Sequence, residues 1–139
     1  MHTETFINSL TINTFPLRES LTKLVLNKKG RVYHTFNKEY FAINRFNDRE
    51  RIEFRKFNDE FSDNEFPKSY IDIDNQCINE ELINDIISDH VENYVKPMII
   101  KEYERAGNNP KYSQFNLETA RYYENFVNAY MTGFVYIEV

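Results

Sequence analysis

Apolar residues recur along the chain with two different periods, and the changes between them divide it into elements. In TFINSLTINTF (residues 5–15), Phe6, Leu10 and Ile12 hold even positions and Asn8 interrupts them, which predicts a first strand. Leu17, Leu21, Leu24 and Val25 then follow at helical spacing behind Pro16, where a first helical turn has no use for an N–H. Gly30 suits the exit, so the spacing predicts a helix over 16–28.

Residues 31–57 alternate with period two and predict a three-stranded meander. A two-residue turn at Asn47-Asp48 sets Ile43 opposite Ile52 and Phe41 opposite Phe54. A second two-residue turn at Asn37-Lys38 sets His34 opposite Phe41 and Val32 opposite Ile43. Both turns sort the side chains the same way. Val32, His34, Phe36, Phe41, Ile43, Ile52 and Phe54 share one face. Arg31, Tyr33, Thr35, Tyr40, Ala42, Asn44, Arg49, Arg51, Glu53 and Arg55 share the other, and a one-residue slip would destroy the partition.

Beyond Pro67 the pattern predicts a short strand around Tyr70, Ile71 and Ile73. Asn79 is a good N-cap, with Glu80 and Glu81 where a helix dipole favours negative charge. An apolar stripe follows through Leu82, Ile83, Ile86, Ile87, His90, Val91 and Tyr94. Pro97 predicts the start of a further helix that stops near Gly107. Another, over 116–131, carries Leu117, Ala120, Tyr123, Phe126, Val127 and Tyr130, and FVYIEV reads as a final strand. The expected fold class is α+β in a single domain, 1–139. Its antiparallel sheet is the meander plus N- and C-terminal strands, covered on one face by about four helices.

Composition narrows the class. The chain has 139 residues, about enough for one core, and its 12 Phe and 10 Tyr supply the apolar bulk that disordered chains lack. Asn, Ile, Lys, Phe and Tyr are plentiful while Gly and Pro are scarce. That set follows AT-rich coding and points to a low-GC bacterium, its phage or another mobile element. No apolar run approaches the roughly 20 residues of a membrane helix, and no secretion signal opens the chain, so the cytoplasm is the expected compartment. Cys77 is the single cysteine and forms neither an internal disulfide nor a cysteine-based zinc site.

Charge is unevenly spread. The net formal charge is −5, yet residues 28–56 carry nine Lys/Arg against four acids, and residues 59–92 carry eleven acids against Lys68 alone. Two candidate surfaces follow. The outer face of the meander gathers Arg31, Arg49, Arg51 and Arg55 with Tyr33, Tyr40 and Asn44. Guanidiniums on phosphates and rings on bases are what a single-strand-binding sheet uses, although wet sheet faces commonly carry the same residues. The acidic surface comprises Asp59, Glu60, Asp63, Glu65, Asp72 and Asp74. Such an array can imitate phosphates and enter the basic groove of another protein, although acidic runs are more often plain solvated surface.

Other chemistry is absent from the sequence. Asp72, Asp74 and Gln76 alternate like oxygen ligands, but Cys77 and Ile83 stand where a calcium loop needs Gly and Glu. His2, His34 and His90 lack metal spacing, and His34 and His90 fall on apolar faces. There is no phosphate-binding glycine loop. No metal or other cofactor is therefore expected, and no enzyme. The expectation is a small cytoplasmic binding protein, an inhibitor from a phage or mobile element of the anti-CRISPR or other counter-defence type. It would act through a charged surface on a protein partner such as a host nuclease. A single-stranded nucleic-acid binder and an immunity protein of a toxin system are the alternatives, and the outer face or the terminal strand could serve a homodimer.

Overall fold

The structure, a computed structural model, describes residues 10–57, 67–73, 79–106 and 117–139. In chain order its elements are α1 (Phe15–Asn27), β1 (Arg31–His34), β2 (Glu39–Phe46), β3 (Arg49–Lys56), β4 (Ser69–Asp72), α2 (Glu80–His90), a π-helical segment (Val91–Val95), α3 (Lys96–Ala106), α4 (Leu117–Met131) and β5 (Phe134–Ile137). The five strands make one antiparallel sheet in the order β4-β3-β2-β1-β5. The class is α+β, as the periodicity predicts.

The β2–β3 register is the predicted one. Asn47 and Asp48 both take positive φ, at 51° and 62°, in the two-residue hairpin connection. Phe41 then pairs with Phe54 and Ile43 with Ile52. The β1–β2 register differs. Val32 pairs with Phe41 rather than Ile43, because residues 35–38 form a four-residue connection in place of the Asn37-Lys38 turn. Its cause is local: His34 Nδ1 accepts hydrogen bonds from the backbone N–H groups of Phe36 and Asn37 at 3.2 and 3.3 Å, which curls the chain early. A shift of two residues preserves the facing of every strand residue. It does carry Phe36 out of the sheet, and Phe36 is 75% exposed instead of facing the core.

Two further corrections concern element number. The meander has four strands, because β4 continues it antiparallel to β3. The helices form three bodies, because no break occurs at Pro97. Proline cannot donate to the carbonyl four residues before it, and its ring crowds that carbonyl. The chain absorbs the misfit by widening. Lys96 N–H bonds to Val91 O, five residues back, and α2 continues through the π segment into α3. The predicted N-terminal strand falls mostly on residues outside those described, and residues 10–14 form no strand.

The core lies between the sheet and the helices. Leu17, Leu21, Leu24 and Val25 of α1, the stripe of α2, and Tyr123, Val127 and Met131 of α4 close over Val32, Phe41, Ile52, Phe54 and Phe134. Each such side chain contributes about 1.5–3 kcal/mol by leaving water. Glycine matters at two joints. Gly30 has φ of 100°, and a Cβ there would sit 2.5 Å from Ile137 O. A Cβ at Gly133 would meet the His34 ring at 2.7 Å. Among the described residues no helix is long and apolar enough to cross a membrane.

Asn79 caps α2 as predicted, its Oδ1 accepting from Leu82 N–H at 3.1 Å. Substituting Asn79→Ala is expected to lower stability by about 1 kcal/mol in urea denaturation, with an unchanged m-value.

Candidate functional site

Alternation along β3 puts Arg49, Arg51, Glu53 and Arg55 on one face, the face away from the helices. Glu53 is central there and only 2% exposed. A buried carboxylate costs several kcal/mol in lost hydration, so its partners decide whether it is tolerable. It has a full set. Arg51 reaches Oε2 with Nε at 2.8 Å and Nη2 at 2.7 Å. Arg55 Nε donates to Oε1 at 3.0 Å, and Asn44 Nδ2 donates to the same oxygen at 2.6 Å. Ala42, directly across from Glu53, leaves room for them. Charge-assisted bonds of this kind are the strong class.

The rings on this face are also engaged with the cations. The Arg51 guanidinium lies between Phe46 and Tyr70, 4.4 and 4.2 Å from their centroids. Arg31 lies over Tyr40 and Phe57 at 4.7 and 5.5 Å. Phe57 stacks on both Tyr33 and Tyr40. Tyr40 is 1% exposed, and Arg51 is buried as well. The structure therefore brings Arg31, Tyr33, Tyr40, Asn44, Arg51 and Arg55 together as predicted. It engages them with Glu53 and neighbouring rings, leaving Arg31, Tyr33, Asn44 and Arg55 half-buried, and of the set Arg49 alone is fully exposed.

Of the acidic set, Asp72 is exposed at the end of β4, on the same face as Arg51 and directly beside it. Asp59, Glu60, Asp63, Glu65 and Asp74 lie outside the described residues. Carboxylates not assigned to that set stand out instead on α2 and its continuation, where Glu80, Glu81, Asp85 and Glu92 are exposed. β5 is an edge of the sheet, with Val135 and Ile137 exposed on its outer side.

A polar cleft on the opposite side was not anticipated. Glu39 opens β2 at a core-facing position and is buried. It accepts from Lys68 Nζ at 2.7 Å and from the Tyr130 hydroxyl at 3.4 Å. The Tyr130 oxygen lies 3.2 Å from His90 Nε2. Since His90 Nδ1 has no partner among the described residues, the consistent assignment is a neutral ring donating from Nε2 to Tyr130, which donates to Glu39. His34 lies beside this chain, its ring tilted against Tyr130 with centroids 4.4 Å apart and its Nε2 2.8 Å from Tyr130 O. The signal in the sequence was a carboxylate and two histidines at positions whose periodicity demands apolar residues.

Electrostatics follow from burial. Burial, then the charges of His34 and Lys68, push the His90 imidazole down to about 3. Burial also lowers His34, against the opposing pulls of the Tyr130 carbonyl and Glu39. Burial and then Glu39 raise the Tyr130 phenol well above its usual range. Both rings are thus neutral hydrogen-bonding groups in the folded protein at neutral pH. No protein-family model matches the chain, and neither a curated protein nor a solved structure is similar to it.

Two outcomes are expected. Glu53→Gln leaves the buried Arg51 and half-buried Arg55 guanidiniums without their carboxylate and should cost about 3–5 kcal/mol in chemical denaturation. His90 gains a proton in the unfolded chain below its ordinary value of 6.5 but in the fold only near 3, so stability should fall as pH drops through that window. The His90 contribution has a slope of up to about 1.4 kcal/mol per pH unit, and His90→Gln should flatten the profile measured by urea unfolding at each pH.

Proposed function

We propose that the protein acts by binding rather than by catalysis, as an inhibitor that presents an acidic surface to a basic protein partner. The observation that supports this reading is the pairing of Arg51 and Arg55 with Glu53. It withdraws Arg51 and Arg55 from the outer face of the sheet, and with them two of the guanidiniums a nucleic-acid-binding sheet would use on phosphates. The carboxylates of Glu80, Glu81 and Asp85 are exposed, Glu92 is paired with Lys96 at 2.6 Å, and no Lys or Arg lies between Lys68 and Lys96. Individually such charges are screened within about 8 Å at physiological salt, but as an array of one sign they steer a cationic groove towards them.

The partner this chemistry fits is a cytoplasmic nuclease or other nucleic-acid-handling protein of a host cell, whose basic groove holds phosphates. Counter-defence factors of phages and mobile elements, anti-CRISPR proteins among them, work by such surface complementarity, and the AT-rich composition of the chain agrees with that origin. An immunity protein would differ only in its partner.

The reading is tested by inhibition of purified RNA-guided and toxin nucleases, followed as substrate cleavage against inhibitor concentration and ionic strength. Stoichiometric inhibition of one of them is expected. Glu81→Lys combined with Asp85→Lys should weaken it by about tenfold or more and flatten its salt dependence. Absence of inhibition throughout, or an affinity indifferent to the reversal, overturns it.

A further inference from the structure

We propose that His34 is a proton-operated latch on the connection between β1 and β2, in which protonation of the ring at Nδ1 releases the backbone of Phe36 and Asn37. The ring bridges two sets of backbone groups whose chemistry fixes its state. Nε2 lies 2.8 Å from the Tyr130 carbonyl oxygen, which can only accept, so Nε2 carries the hydrogen. Nδ1 receives the N–H groups of Phe36 and Asn37 at 3.2 and 3.3 Å, which can only donate, so Nδ1 presents its lone pair. A second proton has no place to bind but Nδ1, where it would face two donors. Both bonds must then break.

The ends of the connection do not depend on the ring. Thr35 N–H bonds to Gly133 O at 2.9 Å, and Lys38 O accepts from Phe57 N–H at 2.7 Å. Release is therefore confined to the two middle residues, as a local opening. The exposed Phe36 ring, set edge-on to His34 with centroids 5.7 Å apart, is the side chain that it frees. The imidazole itself stays. Tyr130 and Phe134 hold it at centroid distances of 4.4 and 4.7 Å, and Gly133 is so close that a Cβ there would meet Nε2 at 2.7 Å.

Several groups set the balance of charge at the ring. Glu39 of β2 and the Tyr130 carbonyl of α4 favour the added proton, and burial opposes it more strongly. His90 of α2 is neutral, Gly133 and Phe134 bring no charge, and the connection itself adds Lys38. The outcome is a ring held below the ordinary imidazole value of 6.5, so the latch is closed at neutral pH. In the opened connection Nδ1 meets water and titrates normally. Opening therefore becomes easier as pH falls below 6.5, until the closed form is itself protonated.

The test is NMR on the full chain. Imidazole nitrogen shifts should report the Nε2–H tautomer of His34 near neutral pH. Amide exchange, corrected for the intrinsic rate at each pH, should show the protection of Phe36 and Asn37 falling by up to about tenfold per pH unit below that value. Their protection should stay below that of the Phe54 amide throughout, which marks the opening as local. The response should persist in His90→Gln and vanish in His34→Asn, whose Oδ1 replaces Nδ1 with an acceptor that does not titrate. The first two measurements use the native chain and decide the matter if His34→Asn does not fold. Three outcomes overturn the proposal: an Nδ1–H tautomer, protection at Phe36 and Asn37 that is flat with pH or equal to that of Phe54, or a pH response retained in His34→Asn.

Discussion

Asn47 and Asp48 hold positive φ in a two-residue connection, and that turn sets the register from which the rest of the molecule is built. With β2 and β3 in register, Phe41, Ile43, Ile52 and Phe54 fall on the helix side, where burial outweighs the entropy of ordering them. The same register sets Ala42 across from Glu53 and Asn44 within reach of it. A slip of one residue would turn Glu53 and three arginines into the core. The hydrophobic and electrostatic halves of the fold therefore rest on one hairpin.

Charge is buried on both sides of that sheet, with different partners. On the outer side, one carboxylate holds two guanidiniums and an amide, and two aromatic rings flank Arg51. Its geometry is fully satisfied, which is what makes desolvation of a carboxylate tolerable. On the inner side, Glu39 carries Lys68 at one oxygen and a chain of neutral groups, Tyr130 and His90, at the other. The outer cluster subtracts positive charge from the surface. The inner chain lies beside a cleft lined by Glu39, Lys68 and Tyr130.

Pro97 links sequence chemistry to that cleft. A proline inside a helical stripe would ordinarily end the helix. Here the apolar positions on both sides of it, Val95 and Ile99, are both fully buried. Their burial outweighs the misfit, and the helix stretches to a five-residue hydrogen bond instead of stopping. The resulting π segment sets Asn93 and Tyr94 in the cleft wall.

Local pattern was enough for much of this. The alternation of residues 31–57, the hairpin at Asn47-Asp48, the cap at Asn79 and the stripes of α1, α2 and α4 were legible because short-range sterics and burial periodicity act within a few residues. So was the grouping of Arg31, Tyr33, Tyr40, Asn44, Arg51 and Arg55 on one face. What alternation could not say is whether that face meets solvent, since facing is a property of one strand and pairing depends on which charge lies two residues on or across the ladder. The four-residue connection before β2 depended on the His34 ring accepting backbone N–H groups, and the continuity of the helix through Pro97 on burial from both sides. The cleft joins Glu39, Lys68, His90 and Tyr130 from four distant segments, and no spacing in the chain relates them. The sequence by itself determined which side chains share a face. Only the tertiary structure decided which of those charges neutralise each other, because electrostatic partnership is set by distances that close when the segments pack.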